Sequence, residues 1–317
     1  MSNDKFNLIE SNLKKYKPDL AQSSVNMIMR NIKLLNKRIT GNDKIKSLTF
    51  LYNVKEIMDN LENFSKLTKR NYLHSINYII ESNLPDDDTT KKLNNFYTER
   101  RNEINSEYMN NALNNIKSDK TEKNWITAEE YDDVILKLKK IVDGFGNTIN
   151  RKQLTTFQRY IIISIYKYHP LRVDLHNMKV IEENQDKNLD KSFNYLIKLN
   201  NGNYQFKIYN FKTQKTHKLL TINLNENLNE IIKDFLEVNK SGWFIVQEQD
   251  PSKPIQKSGL TNLIIRTFKR HAGKNIGVNM IRKIIVSDHF AEFDKAQKQM
   301  ASDMGHNQRT NSLYIKY

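Results

Sequence analysis

The chain has no cysteine among its 317 residues, which excludes disulfides and thiolate zinc sites. Its seven histidines are scattered, with no HExxH or comparable spacing, and its carboxylates do not cluster as metal-dependent hydrolysis requires. No run of 18 or more apolar residues occurs, and the opening MSNDKFNLIESNLKKY lacks the apolar stretch of a signal peptide. These absences predict a soluble, intracellular protein with no membrane partner and no bound metal or other cofactor.

Negative charge is also in short supply. Asp and Glu number 36 against 51 Lys and Arg, a formal net charge of +15. Such an excess favours a polyanionic partner, nucleic acid first and an acidic membrane surface second. Hydrophobic residues at 38% and aromatics at 10% suffice for packed cores. The length exceeds the about 250 residues at which single cores stop growing, so two domains are expected.

The first third reads as helices with basic faces. Ser23 or Ser24 is positioned to cap a helix whose apolar stripe is Ile28, Ile32, Leu35 and Ile39. A second stripe runs through Tyr72, Leu73, Ile76, Ile79 and Ile80, with Lys66, Lys69, Arg70 and His74 on the opposite side. Pro85 and the three aspartates after it interrupt the pattern. A third helix then spans about Thr89 to Leu113 with Lys91, Lys92, Arg100 and Arg101 outward. These charges either touch DNA phosphates or simply keep the helices solvated.

The polar segment from Asn114 to Asn124 is the best linker and places a boundary near residue 120, giving domains 1–120 and 121–317. Thr127 and Glu130 have the spacing of a capping box. Phe157 to Tyr168 is too apolar for a surface helix. Alternating stretches at Phe193–Leu199, Tyr204–Tyr209 and Leu219–Leu224, the first two joined through Asn201-Gly202, predict a small antiparallel sheet of about three strands. Helices resume at Leu228, at Leu260–His271 and at Met280–Ala291. The expected fold is mainly α with one small β insert.

Four features follow one another in this second part: HPLRVDLHNM around Arg172, NFKTQKTHK around Lys212, NMIRK around Arg282, and the terminal MGHNQRTNSLYIKY. Arg172 precedes Arg282 by 110 residues, Arg282 precedes His306 by 24, and His306 precedes Tyr314 by 8. The set resembles the boxes of tyrosine recombinases of the phage-integrase type: R-x-[E/D]-L, a hairpin lysine, H-x-x-R, and a G-H…Y tail. Motifs support the resemblance over about residues 125–317; before that it rests on helical, basic character alone.

The resemblance implies a helical core-binding domain followed by a recombinase catalytic domain, acting on double-stranded DNA without metal or ATP. Arg172 and Arg282 would each present a planar donor fork to the scissile phosphate, and His306 a further hydrogen bond. Lys212 would protonate the departing 5′ oxygen, with Lys215 and Lys218 as competitors. Tyr314 would be the nucleophile, with Tyr317 as the alternative. Asp174 would orient the site. Arg172 also admits a simple ion pair with Asp174, and His289, on the Arg282 helix, reads as core or surface.

One position departs from the family. Asn279 stands three residues before Arg282, where histidine is usual, and an amide cannot take up a proton. The resemblance further implies a tetramer on paired DNA sites. It is strongest to recombinases of virophages, large DNA viruses and other mobile elements, which implies genome integration wherever the target DNA lies. A type IB topoisomerase and a non-catalytic DNA-binding protein with the same fold are the alternatives.

Overall fold

The computed structural model describes residues 4–113, 116–146, 148–212 and 214–305. The chain divides into two compact units, the first ending at Lys117 and the second beginning at Ser118. The fold is mainly α with one small sheet.

The first unit contains α1 (Asp4–Tyr16), α2 (Gln22–Thr40), α3 (Val54–Glu62), α4 (Lys66–Asn83) and α5 (Asp88–Leu113). Ile28, Ile32 and Leu35 of α2 and Tyr72, Leu73, Ile76, Ile79 and Ile80 of α4 are all buried in one core, as their helical spacing predicts. The start of α2 differs from expectation. Ala21 occupies the capping position without a side-chain hydrogen bond, and Ser23 and Ser24 lie inside the helix. The helix ends where Gly41 adopts a left-handed conformation (φ 71°) and donates its N–H to Lys37.

Buried polar groups fix how α4 meets α5. The Asn77 amide donates to the Asn94 side chain (2.7 Å), the Asn94 carbonyl (3.1 Å) and the Thr98 hydroxyl (3.0 Å). Tyr97 of α5 donates to the Leu51 carbonyl at 2.8 Å. Each contact satisfies a group that would otherwise be stranded away from water.

In the second unit α6 (Asp119–Lys123) occupies part of the expected linker. It is followed by α7 (Ala128–Asp143), which opens with the Thr127–Glu130 capping box. Helix α8 (Arg151–Tyr168) is the centre of the unit's core, with Ile161, Ile162, Ile163, Ile165 and Tyr166 fully enclosed. Its Gln158 clamps a neighbouring segment in both directions, accepting from Val246 N–H (2.6 Å) and donating to the Val246 carbonyl (3.2 Å).

The sheet has four strands among the described residues, in the order β1 (Met178–Glu182), β2 (Asn194–Lys198), β3 (Tyr204–Ile208) and β4 (Leu220–Asn223). The β2–β3 and β3–β4 pairs are antiparallel, while β1 runs parallel to β2, so the sheet is mixed rather than wholly antiparallel. Strand β1 escapes a pattern search because only Met178 is buried and its remaining positions lack a clean alternation. The β2–β3 turn uses Gly202 at φ 87°, which suits the Asn-Gly pair.

Helices α10 (Glu226–Val238), α11 (Lys257–Ala272) and α12 (Val278–Asp303) complete the unit. Helix α12 runs twelve residues past the expected end at Ala291. Ile284 and Ile285 are buried but Val286 is exposed, because another 100° of rotation carries it off the buried face.

Replacing Gln158 with leucine strands both Val246 groups and should lower stability by about 2–4 kcal/mol. Thr127→Ala, which breaks only the α7 cap, should lower it by about 1 kcal/mol. Urea unfolding followed by tryptophan fluorescence reads both, since Trp125 and Trp243 lie in this unit. Equal effects from the two substitutions would contradict the assignment.

Candidate active site

Helix α8 stops where Pro170 removes a backbone donor and the preceding residue leaves helical geometry. The next residues carry Arg172 and Asp174. Two turns of polar bonding hold them. The buried Tyr166 hydroxyl donates to the Arg172 carbonyl at 2.5 Å. The Asn194 amide, also buried, donates to the Asp174 carbonyl at 2.9 Å.

Asn194 reaches a second segment as well. It donates to the Asn210 carbonyl (3.2 Å) and accepts from the N–H groups of Tyr209 (3.0 Å) and Asn210 (2.8 Å). One side chain therefore ties the arginine loop to the connection that leaves β3, two residues before Lys212. Lys212 itself is exposed in the β3–β4 connection. Lys215 falls in the single-turn helix α9 (Gln214–His217), and Lys218 follows it in a left-handed conformation (φ 52°).

Arg282 is half-buried in the second turn of α12, and Asn279 is exposed one turn earlier. Burial holds the Tyr166 phenol far above its ordinary value; the Asp174 charge adds to the shift and the Arg282 charge opposes it. Tyr166 thus bonds the Arg172 carbonyl and feels the charges of both Asp174 and Arg282. Neither Arg172 nor Arg282 spends its guanidinium on an ion pair among the described residues. The alternative Arg172–Asp174 ion pair does not form among the described residues, although the Arg172 backbone and charge are close enough to favour the Asp174 carboxylate.

Burial pushes the Asp174 carboxyl up, against the opposing influence of the Arg172 backbone and the nearby charges of Arg172, His176 and Lys257. Lys257 belongs to the first turn of α11 and adds a cation that the motifs do not announce. Tyr166 and Asn194 were likewise unannounced. The first sits in a stretch that reads only as too apolar for a surface helix, and the second at the start of a strand where alternation says nothing about polar bridging. His289 is exposed on α12, its Nδ1 2.9 Å from the Ile285 carbonyl, which agrees with a surface reading. His306, Tyr314 and Tyr317 lie outside the described residues.

In the first unit the basic residues of α4 face α5 as a ladder. Lys66 pairs with Glu107, Arg70 donates to Asn105 (3.1 Å) and lies over the Tyr108 ring, and Arg101 approaches His74 (3.4 Å). Lys69 pairs with Glu62, Lys91 with Asp86 and Arg100 with Glu103, while Lys92 is exposed. Exposed pairs of this kind are weak enough for a phosphate to displace. No group of three or more His, Asp or Glu among the described residues is arranged to hold a metal.

No family model matches the chain, and no curated protein matches it. Among solved structures it is similar to the crystal structure of XerA recombinase, at 10% identity and a TM-score of 0.34, over 98% of this chain and 94% of that one. A likeness at that score carries no argument about function. What remains is the chemistry of the side chains themselves: the Arg172 loop and the Lys212 connection tied together by Asn194, the Arg282 charge near Tyr166, and neither guanidinium in an ion pair among the described residues, a group suited to binding a phosphate.

The raised Asp174 value has a consequence for stability. A carboxyl whose folded value lies above its unfolded value favours folding most at low pH, and that contribution is lost as pH rises through the folded value. Asp174→Asn, which keeps the acceptor oxygen, should therefore gain on the wild type as pH climbs from about 3 to 7. Urea midpoints of both proteins across that range provide the check; a constant difference would refute it.

Proposed function

We propose that this protein cuts and rejoins DNA as a tyrosine recombinase does, through a covalent 3′-phosphotyrosyl intermediate. The observation that carries the reading is the joint anchorage of the Arg172 loop and the Lys212 connection by Asn194, with the Arg282 charge close to Tyr166 and neither guanidinium in an ion pair among the described residues. The +15 charge and the ordered motifs support the same substrate.

The chemistry follows from these side chains. An in-line attack on a phosphodiester builds negative charge on the non-bridging oxygens, and Arg172 and Arg282 neutralise it with fixed donor forks. Tyr314 supplies the attacking oxygen, a P–O bond to tyrosine forms, and the P–O5′ bond breaks. Lys212 delivers a proton to the departing 5′ oxygen, and His306 hydrogen-bonds the phosphate. The phosphotyrosine keeps the bond energy, so the reverse attack by a 5′ hydroxyl reseals the strand. The phenolic proton needs an acceptor other than Asn279, whose amide cannot hold one.

A tetramer on two double-stranded sites, with the first unit's basic helices on the duplex, belongs to this reading, as does integration of a viral or mobile element. Asn279 favours a second reading, a DNA-binding protein that has kept the fold without the cutting step.

A nicked suicide substrate separates the two. The wild type should form a denaturation-resistant protein–DNA adduct that Tyr314→Phe abolishes. Arg172→Ala and Arg282→Ala should each slow its formation by about 10²-fold or more, and Lys212→Ala by about 10²- to 10⁴-fold. An adduct that survives Tyr314→Phe transfers the role to Tyr317; no adduct from the wild type leaves only the binding protein.

DNA affinity should also fall on the order of 10³-fold or more between about 50 and 200 mM salt, if six or more phosphates are contacted. Fluorescence anisotropy with a labelled duplex measures it, and a flat salt response would remove DNA as the ligand.

A further inference from the structure

A second group of cations stands apart from the Arg172 segment. Arg159 lies on α8, nine residues before its end, or about 14 Å along the helix axis. Arg266 and Arg270 lie one turn apart on α11, which packs against α8. Arg159 is half-buried, and its Nε is enclosed without a hydrogen-bond partner. None of these three arginines forms an ion pair among the described residues.

The neighbours deepen the imbalance. Arg159 is influenced by Arg270 and Arg266 and by a single carboxylate, the exposed Glu248. His271 is influenced by Arg270, Arg159 and Lys137, and burial together with these charges keeps it from taking up a proton readily. Lys137 of α7 joins the rim, its ammonium 3.3 Å from the His271 carbonyl. Glu248 is thus the one carboxylate named among the charges acting on Arg159, against two arginines. Like charges gathered with a buried donor left unsatisfied destabilise the folded chain, and an anionic ligand relieves both penalties.

The layout identifies the anion. Arg266, Arg270 and Lys137 are exposed, and the 6 Å rise between the two α11 arginines spans about two phosphates of one DNA strand. Guanidinium forks match phosphate oxygens.

We propose that the patch built on Arg159, Arg266 and Arg270, bordered by Lys137, grips the phosphate backbone of duplex DNA away from the strand to be cut. The inference rests on reading the chain as a DNA-acting enzyme, but it concerns residues that the cutting chemistry does not use. Filling the patch lengthens the DNA footprint and steepens the salt dependence without changing the scissile step.

The test is the slope of log affinity against log salt for a labelled duplex of about 30 base pairs, a length that covers several helical turns. A triple variant, Arg159→Gln with Arg266→Gln and Arg270→Gln, should lose about 2–3 from the magnitude of that slope, close to 0.9 per phosphate released. Adduct formation on saturating suicide substrate at low salt should stay at the wild-type level. The charge-matched control Lys233→Gln, Lys240→Gln and Lys295→Gln should leave the slope unchanged. Arg270→Glu alone, an exposed change that spares the core, should weaken binding by at least tenfold and covers the case in which the triple variant folds poorly.

An unchanged slope in the patch variants, or an equal loss in the control, overturns the proposal. So does polyglutamate that competes as well as unlabelled DNA, since the patch would then be a site for acidic protein. If the wild type makes no adduct while the patch variants still lose slope, the strand-cutting reading fails and the patch stands.

Discussion

Because nearly every residue of α8 from Phe157 to Tyr166 is buried, the second unit has to cover that stretch on every side. Helices α7, α10, α11 and α12 all pack against it. Covering the helix leaves polar groups without water, and the chain answers with side chains that bond across elements. Gln158 takes both backbone groups of Val246, Tyr131 of α7 donates to the Ile163 carbonyl at 3.0 Å, and Tyr166 takes the Arg172 carbonyl. Once α8 is enclosed, the loop that leaves it is held by groups that cannot move without stranding a donor or acceptor.

That constraint is what gives the candidate site a defined geometry. Arg172 follows a helix end pinned by Tyr166, and the Lys212 connection is tied to the same loop by Asn194, whose amide donates twice and whose oxygen accepts twice. The guanidiniums take no part in this scaffolding. Under the proposed function, this is the arrangement that strand transfer would need, since positioning and fixed positive charge do most of the work of phosphoryl transfer. Substituting Asn194 or Tyr166 would disturb geometry without removing a charge, which separates their contribution from that of the arginines.

Arg159, Arg266 and Arg270, none of them in an ion pair among the described residues, follow a different logic. In the first unit nearly every basic residue of α4 and α5 has found an acidic or amide neighbour, so its charge is locally balanced. Around Arg159 the balance is abandoned, and a donor is enclosed without a partner. Charge of this kind lowers stability in isolation, and its retention in a folded chain is accounted for most simply by a ligand that supplies the missing negative charge.

Much of this was legible before any coordinates. Periodicity alone located the buried stripes of α2 and α4, the enclosed α8 and the box at Thr127–Glu130, because local spacing and capping chemistry determine them. It failed at β1 and at the true start of α2, where half-burial and an uncapped turn are set by neighbours outside the local pattern. The same division holds for function. The sequence by itself determined the residue types, their order and the excess of positive charge. Only the tertiary structure decided that Tyr166 pins the arginine loop, that Asn194 ties that loop to the lysine connection, and that Arg159 lies near Arg266 and Arg270, since side-chain hydrogen bonds and charge neighbours between segments leave no periodic trace in the chain.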